Sequence, residues 1–225
     1  LLTRRWEAQN PKGVFILFPG LGEHSGRYDR LAQDLISHGF AARAMDHRGH
    51  GRSEGKRGDC RSIDQFVADL HRFVETVAQE NRDLPRVVIG HSLGGLIAFA
   101  YATRYAKTIR AVAVSSPALG LAQELPIVKK ALAHGLARIL PATSIPNGVN
   151  PTFLSHDPKV VEQYIHDPLV HRVITARCAV ALQRAMRQAL ELAPRISIPC
   201  LILQAGSDPI CDPEATTRFA NQVKG

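Results

Sequence analysis

A serine flanked by glycines, placed between an apolar strand and a helix, constrains this chain more than any other feature. Residues 86–89 end in three β-branched side chains, residues 90–94 read GHSLG, and helix-compatible residues follow at once. A G-x-S-x-G pattern in this setting predicts a strand, a sharp turn and a helix that expose Ser92 at the tip of the turn. Only very small side chains fit at Gly90 and Gly94 beside such a turn. The helix dipole would stabilise negative charge that forms next to Ser92, which makes this serine a candidate nucleophile.

Strand and helix patterns alternate along the first half of the chain. Continuous apolar runs predict buried strands, and apolar residues that repeat at spacings of three and four predict helices. The strands are predicted at 14–18, 40–46, 86–89 and 109–115, and the helices at 28–38, at 64–77 and after Ser92. We expect Leu31, Leu35 and Ile36 to face inward, and Asp64 to cap the second helix. This alternation predicts an α/β fold with a doubly wound, mostly parallel sheet.

A long segment separates the strand at 109–115 from the next apolar run, at 200–204. A parallel crossover needs only a dozen or so residues. We therefore interpret residues 117–175 as an inserted helical cap, with residues 1–116 and 176–225 as the core. Because the insertion leaves from the strand next to the serine turn, we expect it to roof the site and exclude water. A helical embellishment remote from the site is the alternative.

Three helices are predicted in and after the insertion. Residues 125–140 carry apolar side chains at helical spacing and basic side chains on other faces, which indicates an amphipathic helix. A short helix at 158–164 is capped by Asp157, and a longer one at 178–192 returns the chain to the core.

Two aspartates after the strand at 200–204 compete for the role of the acid that orients a catalytic base. Asp212 directly precedes Pro213 and Glu214, a pattern typical of a helix N-terminus, so capping explains it. Asp208 lies just past the end of the strand and has no such explanation. We therefore predict that Asp208 is the catalytic acid.

Composition excludes several classes of protein. No run of 18 apolar residues occurs and the N-terminus lacks the layout of a signal peptide, although the chain begins without Met, which leaves a preceding leader open. The cysteines (Cys60, Cys178, Cys200 and Cys211) lack paired spacing, which favours free thiols in a cytoplasmic protein over a zinc site or a disulfide framework. The net charge is +8, but the basic residues are scattered. A solvated basic surface is expected rather than a nucleic-acid partner, and contact with an anionic membrane surface stays open.

Two histidines, His47 and His50, lie in the glycine-rich loop at 46–55. Neither has an acidic or cysteine partner at the spacing that metal ligands use. We expect them to pack within the loop, and we expect no metal site in this chain.

Four motifs cover nearly the whole chain in order: GLGEHSGRY at 20–28, DHRGHGRSEG at 46–55, GHSLGG at 90–95 and YIHDPL at 164–169. Together they resemble the monoacylglycerol lipase and lysophospholipase branch of the α/β-hydrolases, a serine aminopeptidase S33-like family. Four motifs in the right order are far more specific than the serine turn alone.

This resemblance implies roles for five further residues. The backbone N–H groups of Leu21 and Leu93 would form the oxyanion hole. Glu23, Arg27 and Tyr164 match positions that hold the glycerol or head-group end of a monoacyl lipid. The alternative is that these three side chains only form surface ion pairs or pack within the cap. No cofactor is implied.

The chain departs from the family pattern in two places. Pro19 stands where many relatives have histidine, which removes one hydrogen-bonding side chain from the oxyanion loop. The family triad runs serine, acid, histidine, yet no histidine follows Asp208. A serine nucleophile needs a base, so we expect the natural protein to continue past Gly225 to that histidine. A full-length sequence without it would favour an inactive relative.

The sequence therefore predicts a cytoplasmic serine hydrolase that acts on a small lipid ester. A monoacylglycerol or a lysophospholipid is the first choice of substrate. The sequence leaves the oligomeric state open. A small-ester esterase or peptidase of the same fold and an inactive binding relative are the alternatives. Dehalogenases and epoxide hydrolases of this fold are disfavoured because they carry Asp where this chain has Ser92.

Overall fold

A six-stranded sheet forms the centre of the computed structural model, which describes residues 1–123 and 126–224, with the backbone alone at Lys129. The strands, numbered along the chain and given in spatial order, are β1 (Thr3–Trp6), β3 (Ala41–Met45), β2 (Val14–Phe18), β4 (Arg86–His91), β5 (Ala111–Ser115) and β8 (Cys200–Leu203). β1 is antiparallel to β3, and all other neighbours are parallel. The doubly wound, mostly parallel sheet predicted from the alternating pattern is confirmed.

Helices cover both faces of the sheet. The elements outside the insertion are α1 (Asp29–Ser37), α2 (Ile63–Glu80), α3 (Leu93–Tyr105), α6 (Ala176–Gln188) and α7 (Pro213–Ala220), with short 3₁₀ helices at Ser25–Tyr28, Ala106–Thr108 and Ala189–Arg195. Alternate residues of β2 face opposite sides: Leu17 joins a small apolar cluster with Ala32 of α1, and Phe18 joins the large cluster that contains α2 and α3. The side-chain period of two along a strand explains this division.

Two local predictions were wrong. The N-cap of α2 is Ser62, whose side chain accepts a hydrogen bond from the N–H of Asp64 at 3.1 Å, so Asp64 lies in the first turn instead. Ser is as good a cap as Asp, and the side-chain pattern alone does not choose between them. Leu31 is exposed rather than inward, and Ala32 is the residue of α1 that is buried.

The parallel register brings distant loops to one edge of the sheet. Phe18 pairs with Gly90, Gly90 pairs with Val114, and Ser115 pairs with Leu203. The strands β2, β4, β5 and β8 therefore end side by side, and the loops that follow them meet there. Ligands of open parallel sheets bind at this carboxyl edge.

The insertion contains α4 (Ile127–Ile139), β6 (Ser144–Pro146), a 3₁₀ helix at Pro151–Phe153, α5 (Pro158–His166) and β7 (Val173–Thr175). The predicted amphipathic helix corresponds to α4, and Leu125 lies outside the described residues. Asp157 caps α5 as expected, accepting a hydrogen bond from Lys159 N at 2.9 Å. β6 and β7 pair antiparallel, and α4 packs against α6.

The helices of the described residues do not include a membrane-spanning segment. Within residues 1–123 and 126–224, every helix is too short or too polar to cross a bilayer.

A buried polar network holds the loop that follows β3. Asp46 is 1% exposed, and its Oδ1 accepts hydrogen bonds from Ser25 N at 2.7 Å and Ser25 Oγ at 2.6 Å. Its Oδ2 accepts one from Arg52 N at 2.8 Å. His47, fully buried, donates from Nε2 to the carbonyl of Pro19 at 2.8 Å. The loop packing predicted for His47 is thus observed, and it connects this loop to the end of β2.

Burial governs the titration of the two loop histidines. It lowers the pKa of His47 to about 4, and it lowers the pKa of His50 well below its usual value, with the nearby His47 and His171 acting in the same direction. A charged imidazole is poorly solvated in this interior, so both rings are neutral in the fold.

We predict that this chain loses stability as the pH falls below about 6.5. The unfolded state takes up the proton near that pH and the folded state only near 4, so folding becomes less favourable in between. His47 alone should lower the free energy of unfolding by about 2 kcal/mol between pH 7.5 and pH 5. Urea unfolding at the two pH values measures the loss.

The matched variants are His47→Gln, which keeps a donor for Pro19, and His38→Gln on the exposed end of α1. His47→Gln should lose about 2 kcal/mol less than the parent between the two pH values, and His38→Gln should lose as much as the parent. Equal losses in all three proteins would contradict this assignment.

Candidate active site

Ser92 occupies a strained backbone position between β4 and α3. Its φ is 52° and its ψ is −116°, a left-handed conformation that is costly for a residue with a Cβ. The turn is held from both sides, since Ser92 N donates to Ser115 O at 3.0 Å and Ser92 O accepts from Ala118 N at 3.0 Å. The strand, sharp turn and helix predicted from the sequence are therefore present, with the serine at the tip.

Close backbone contacts explain the flanking glycines. A Cβ at Gly90 would collide with the carbonyl oxygen of Gly94, and a Cβ at Gly94 would collide with the carbonyl oxygen of Phe18. The first contact keeps the two ends of the turn together, and the second lets α3 approach β2. Larger residues would push the serine out of its position.

Leu21 and Leu93 carry the two backbone amides that the sequence predicts for an oxyanion hole. Leu21 and Leu93 line the same cavity as Ser92, and neither amide donates to another group within residues 1–123 and 126–224. Leu93 is the first residue of α3, so its amide lies at the positive end of the helix dipole, which favours a nearby negative charge. The insertion holds the loop after β2, because Gly22 O accepts a hydrogen bond from His171 N at 3.0 Å.

Asp208 lies in the loop after β8 and lines the same cavity. Its Oδ1 accepts hydrogen bonds from the backbone N–H groups of Ile210 at 2.9 Å and Cys211 at 3.0 Å. Its Oδ2 accepts one from Gln204 Nε2 at 3.2 Å, and Thr216 Oγ1 donates to Gln204 Oε1 at 2.8 Å. The carboxylate is thus oriented from two sides, as the acid of a triad must be.

Asp212 has the structural role expected of it. Its Oδ1 accepts a hydrogen bond from Glu214 N at 2.9 Å at the start of α7, and Pro213 follows it in the first turn. The two aspartates are therefore distinguished by their hydrogen bonds: Asp208 lies on the cavity wall, and Asp212 caps a helix.

Cys211 is a site residue that the sequence did not indicate. Its buried Sγ lies 3.9 Å from Ser92 Oγ, and its backbone N–H binds Asp208. Burial, helped by the negative charge of Asp208, raises the pKa of this thiol to about 12. It is therefore a neutral thiol next to Ser92, in a residue that also binds Asp208, and only the folded chain reveals this proximity.

Three histidines lie near the site: His91 and His156 line the cavity, and His24 lies in the loop after β2. His91 donates from Nδ1 to Ser115 O at 3.1 Å, and His24 Nε2 lies 2.7 Å from Asp167 Oδ2. Over residues 1–123 and 126–224, no imidazole nitrogen is hydrogen-bonded to Ser92 Oγ or to the Asp208 carboxylate. That no histidine of these 225 residues is the base stays a prediction.

The three residues matched to a head-group site form a connected group. Glu23 Oε2 accepts hydrogen bonds from Gly20 N and Tyr28 Oη, each at 3.1 Å, and Arg27 Nε lies 3.4 Å from Glu23 Oε1. The Arg27 guanidinium lies over the Tyr164 ring, 5.0 Å from its centroid. Glu23 and Tyr164 line the cavity, whereas Arg27 lies behind them. Glu23 thus also holds the loop after β2 in shape.

Asp167 joins this group to the insertion. It accepts from His24 and lies 3.9 Å from Arg27 Nη1. Burial alone would raise the pKa of Asp167, but the hydrogen bonds from His24 and Leu169 N and the nearby cations outweigh it and lower that pKa. The ionised carboxylate anchors the segment after α5 against the loop that follows β2.

A cavity of about 890 Å³ extends from Ser92 under the insertion. Its walls are mainly apolar, and they include Leu132 and Leu136 of α4, Ile145 of β6, and Leu182 and Met186 of α6. Its volume lies in the upper part of the range of small-molecule sites. The serine, Asp208 and Glu23 are among its polar lining residues.

Comparison with known proteins identifies relatives over most of the chain. The profile of the family described as serine aminopeptidase, S33 matches residues 9–225. The chain is 37% identical over 203 residues to a monoacylglycerol lipase of Mycolicibacterium smegmatis, covering 88% of this chain and 71% of that protein. It is 33% identical over 215 residues to a monoglyceride lipase of Rattus norvegicus, covering 94% of this chain and 71% of that protein.

Solved structures show the same fold. The crystal structure of a Paleococcus ferrophilus monoacylglycerol lipase matches with a TM-score of 0.89 and 37% identity, covering 100% of this chain and 85% of that one. A soluble variant of a Saccharomyces cerevisiae monoglyceride lipase, in complex with a substrate analog, matches with a TM-score of 0.87 at 23% identity, covering 98% and 77%. The family resemblance seen in the four motifs is confirmed.

Proposed function

Because the chain belongs to the serine aminopeptidase S33 family of α/β-hydrolases, we propose that it cleaves the carboxylic ester of a monoacyl lipid, a monoacylglycerol or lysophospholipid. The observation that carries this proposal is Ser92, strained at the tip of its turn, on the wall of a mainly apolar cavity of about 890 Å³. Relatives named monoacylglycerol or monoglyceride lipase support the choice of substrate class.

The proposed mechanism uses Ser92 as a covalent nucleophile. Ser92 Oγ attacks the ester carbonyl carbon while a base takes its proton, and the carbonyl oxygen becomes an oxyanion. The amides of Leu21 and Leu93 bind that oxyanion, and removing such a donor typically costs about 10²- to 10³-fold in rate. The base returns the proton to the leaving alcohol, and water then releases the fatty acid from Ser92.

We place the base outside these 225 residues, as a histidine oriented by Asp208. Two supports are the fixed orientation of the Asp208 carboxylate and the hydrogen bonds of His91 and His24 to partners other than Ser92 and Asp208. A coding sequence without such a histidine would instead favour the inactive binding relative.

The substrate is proposed to lie with its acyl chain in the apolar part of the cavity. Leu132, Leu136 and Leu182 form apolar walls there, and residues 117–175 act as the cap that excludes water. Glu23, Arg27 and Tyr164 would hold the head-group end, with Arg27 acting through its contacts to the other two.

A peptidase or small-ester esterase of this fold is the nearest rival, since the same triad serves all three reactions. The apolar cavity favours a long acyl chain over a peptide. Turnover of p-nitrophenyl esters of increasing chain length, compared with aminoacyl p-nitroanilides, separates the candidates. A preference for acetate or for the anilides would contradict the lipid substrate.

We predict that Ser92→Ala, in the protein expressed from its full coding sequence, abolishes ester turnover. Loss of the nucleophile should lower kcat by about 10⁴- to 10⁶-fold, and labelling by a fluorophosphonate should disappear. Ser37→Ala, at the exposed end of α1, is the matched control and should label as the parent does. Labelling that survives Ser92→Ala would refute the nucleophile.

The acid can be tested with two neighbouring aspartates. Asp208→Asn should lower kcat by about 10⁴-fold, because an amide cannot hold the histidine in its productive tautomer. Asp212→Asn should stay close to the parent, since Asn caps a helix as well as Asp does. Steady-state kinetics on both variants decide the matter, and the reverse pattern would assign the acid to Asp212.

We also propose that α4 touches lipid surfaces. Ile127, Val128 and Ile139 are 82%, 78% and 79% exposed on this helix, next to residues that line the cavity mouth. An exposed apolar helix face with basic neighbours suits the interface of an anionic bilayer, and the net charge of +8 acts in the same direction.

Sedimentation with vesicles of phosphatidylcholine and phosphatidylglycerol tests this contact. The triple variant Ile127→Ser, Val128→Ser, Ile139→Ser should lose most of the bound fraction, because about 0.8 kcal/mol of transfer energy is lost per buried methylene group. Leu31→Ser on α1 is the control and should bind as the parent does. Unchanged binding of the triple variant would remove this role from α4.

A further inference from the structure

Two buried cysteines face each other where the insertion rejoins the core. Cys60 precedes α2 and Cys178 lies in the first turn of α6. They are 2% and 1% exposed, and their sulfur atoms are 3.0 Å apart. Both are free thiols. Two unbonded sulfur atoms seldom approach this closely, and a movement of about 1 Å would bring them to the length of a disulfide bond.

The surrounding contacts hold the two chain segments in register. Arg177 Nε donates to Asp59 Oδ1 at 2.7 Å and its Nη2 donates to Oδ2, which makes a two-pronged ion pair. Thr175 Oγ1 donates to the same Asp59 Oδ1 at 2.6 Å, and Thr175 N donates to Gly58 O at 2.9 Å. Each cysteine directly follows a member of the ion pair, so the sulfur atoms meet because their neighbours are bound.

We propose that Cys60 and Cys178 are a redox pair, which a peroxide converts to a disulfide that fastens the return of the insertion to the core. The sulfur of one deprotonated cysteine attacks a peroxide oxygen, which breaks the O–O bond, forms a sulfenic acid and releases hydroxide. The sulfur of the other cysteine then attacks the sulfenic sulfur, the S–O bond breaks, and water leaves. Two thiols and one hydrogen peroxide thus become one disulfide and two waters.

The raised pKa of the Cys60 thiol slows the oxidation of the reduced pair. The hydrogen bond with Cys178, together with burial, raises the pKa of the Cys60 thiol far above its usual value. Since the thiolate is the reactive form, oxidation should be slow at neutral pH and faster as the pH rises. Brief exposure to a weak oxidant would leave the pair reduced, and sustained exposure would close it.

The bond would change the stability of the fold more than the chemistry at Ser92. Cys60 and Cys178 are 118 positions apart, so the bond would close a large loop and restrict the unfolded chain. Cys178 directly precedes Ala179, the first cavity-lining residue of α6. The bond would therefore also fix the base of one cavity wall.

The test treats the full-length protein with hydrogen peroxide at pH 8.5, quenches with catalase and measures the intact mass, the disulfide-linked peptides and the melting temperature. We expect a loss of two mass units, one linked peptide pair containing Cys60 and Cys178, and a rise in Tm of about 5 to 15 °C. Dithiothreitol should reverse all three changes.

The matched variants are Cys60→Ala, Cys178→Ala and Cys200→Ala. Cys200 lies on β8 as a free, partly exposed thiol, so its variant should behave as the parent, while the other two should gain neither the bond nor the added Tm. The mass and peptide analysis of the parent needs no variant to fold. A mass gain of oxygen without a cross-link, a link to Cys200 or Cys211, or a fall in Tm on closure of the bond would each overturn the proposal.

Discussion

The strained turn at Ser92 is the constraint on which the rest of this structure depends. A residue with a Cβ adopts a φ of 52° only where its surroundings hold it there, and here β2, β5 and α3 all do so. Gly94 lets α3 approach the carbonyl of Phe18, and Ser92 is hydrogen-bonded to Ser115 and Ala118. The core packing around β2 and α3 therefore positions the hydroxyl as well as stabilising the fold.

The parallel register converts that one turn into a site. Because β2, β4, β5 and β8 end together, the loop after β2, the serine and Asp208 meet without any of them being near the others in sequence. Each loop is then held by its own hydrogen bonds: Glu23 to Gly20 N in one, and the amides of Ile210 and Cys211 to Asp208 in another. Preorganised groups of this kind need little rearrangement during reaction.

Several polar contacts attach the insertion to the core. The ion pair of Asp59 with Arg177 holds its return, and Asp167, bound by His24, holds the segment after α5. α4 packs on α6 and forms part of the cavity wall. It carries apolar side chains both towards the cavity and on its exposed side. The insertion is therefore held to the core by polar contacts, while α4 leaves apolar side chains exposed.

The sequence by itself determined the alternation of strands and helices, the serine turn, the cap of α7 and the four family motifs, because periodicity, glycine spacing and capping are local. It missed what depends on packing: Ser62 rather than Asp64 caps α2, and Leu31 faces solvent. The contact of Cys211 with Ser92 and the pairing of Cys60 with Cys178 had no local signal at all. Only the tertiary structure decided these, because side chains more than a hundred positions apart meet only when the whole sheet has formed.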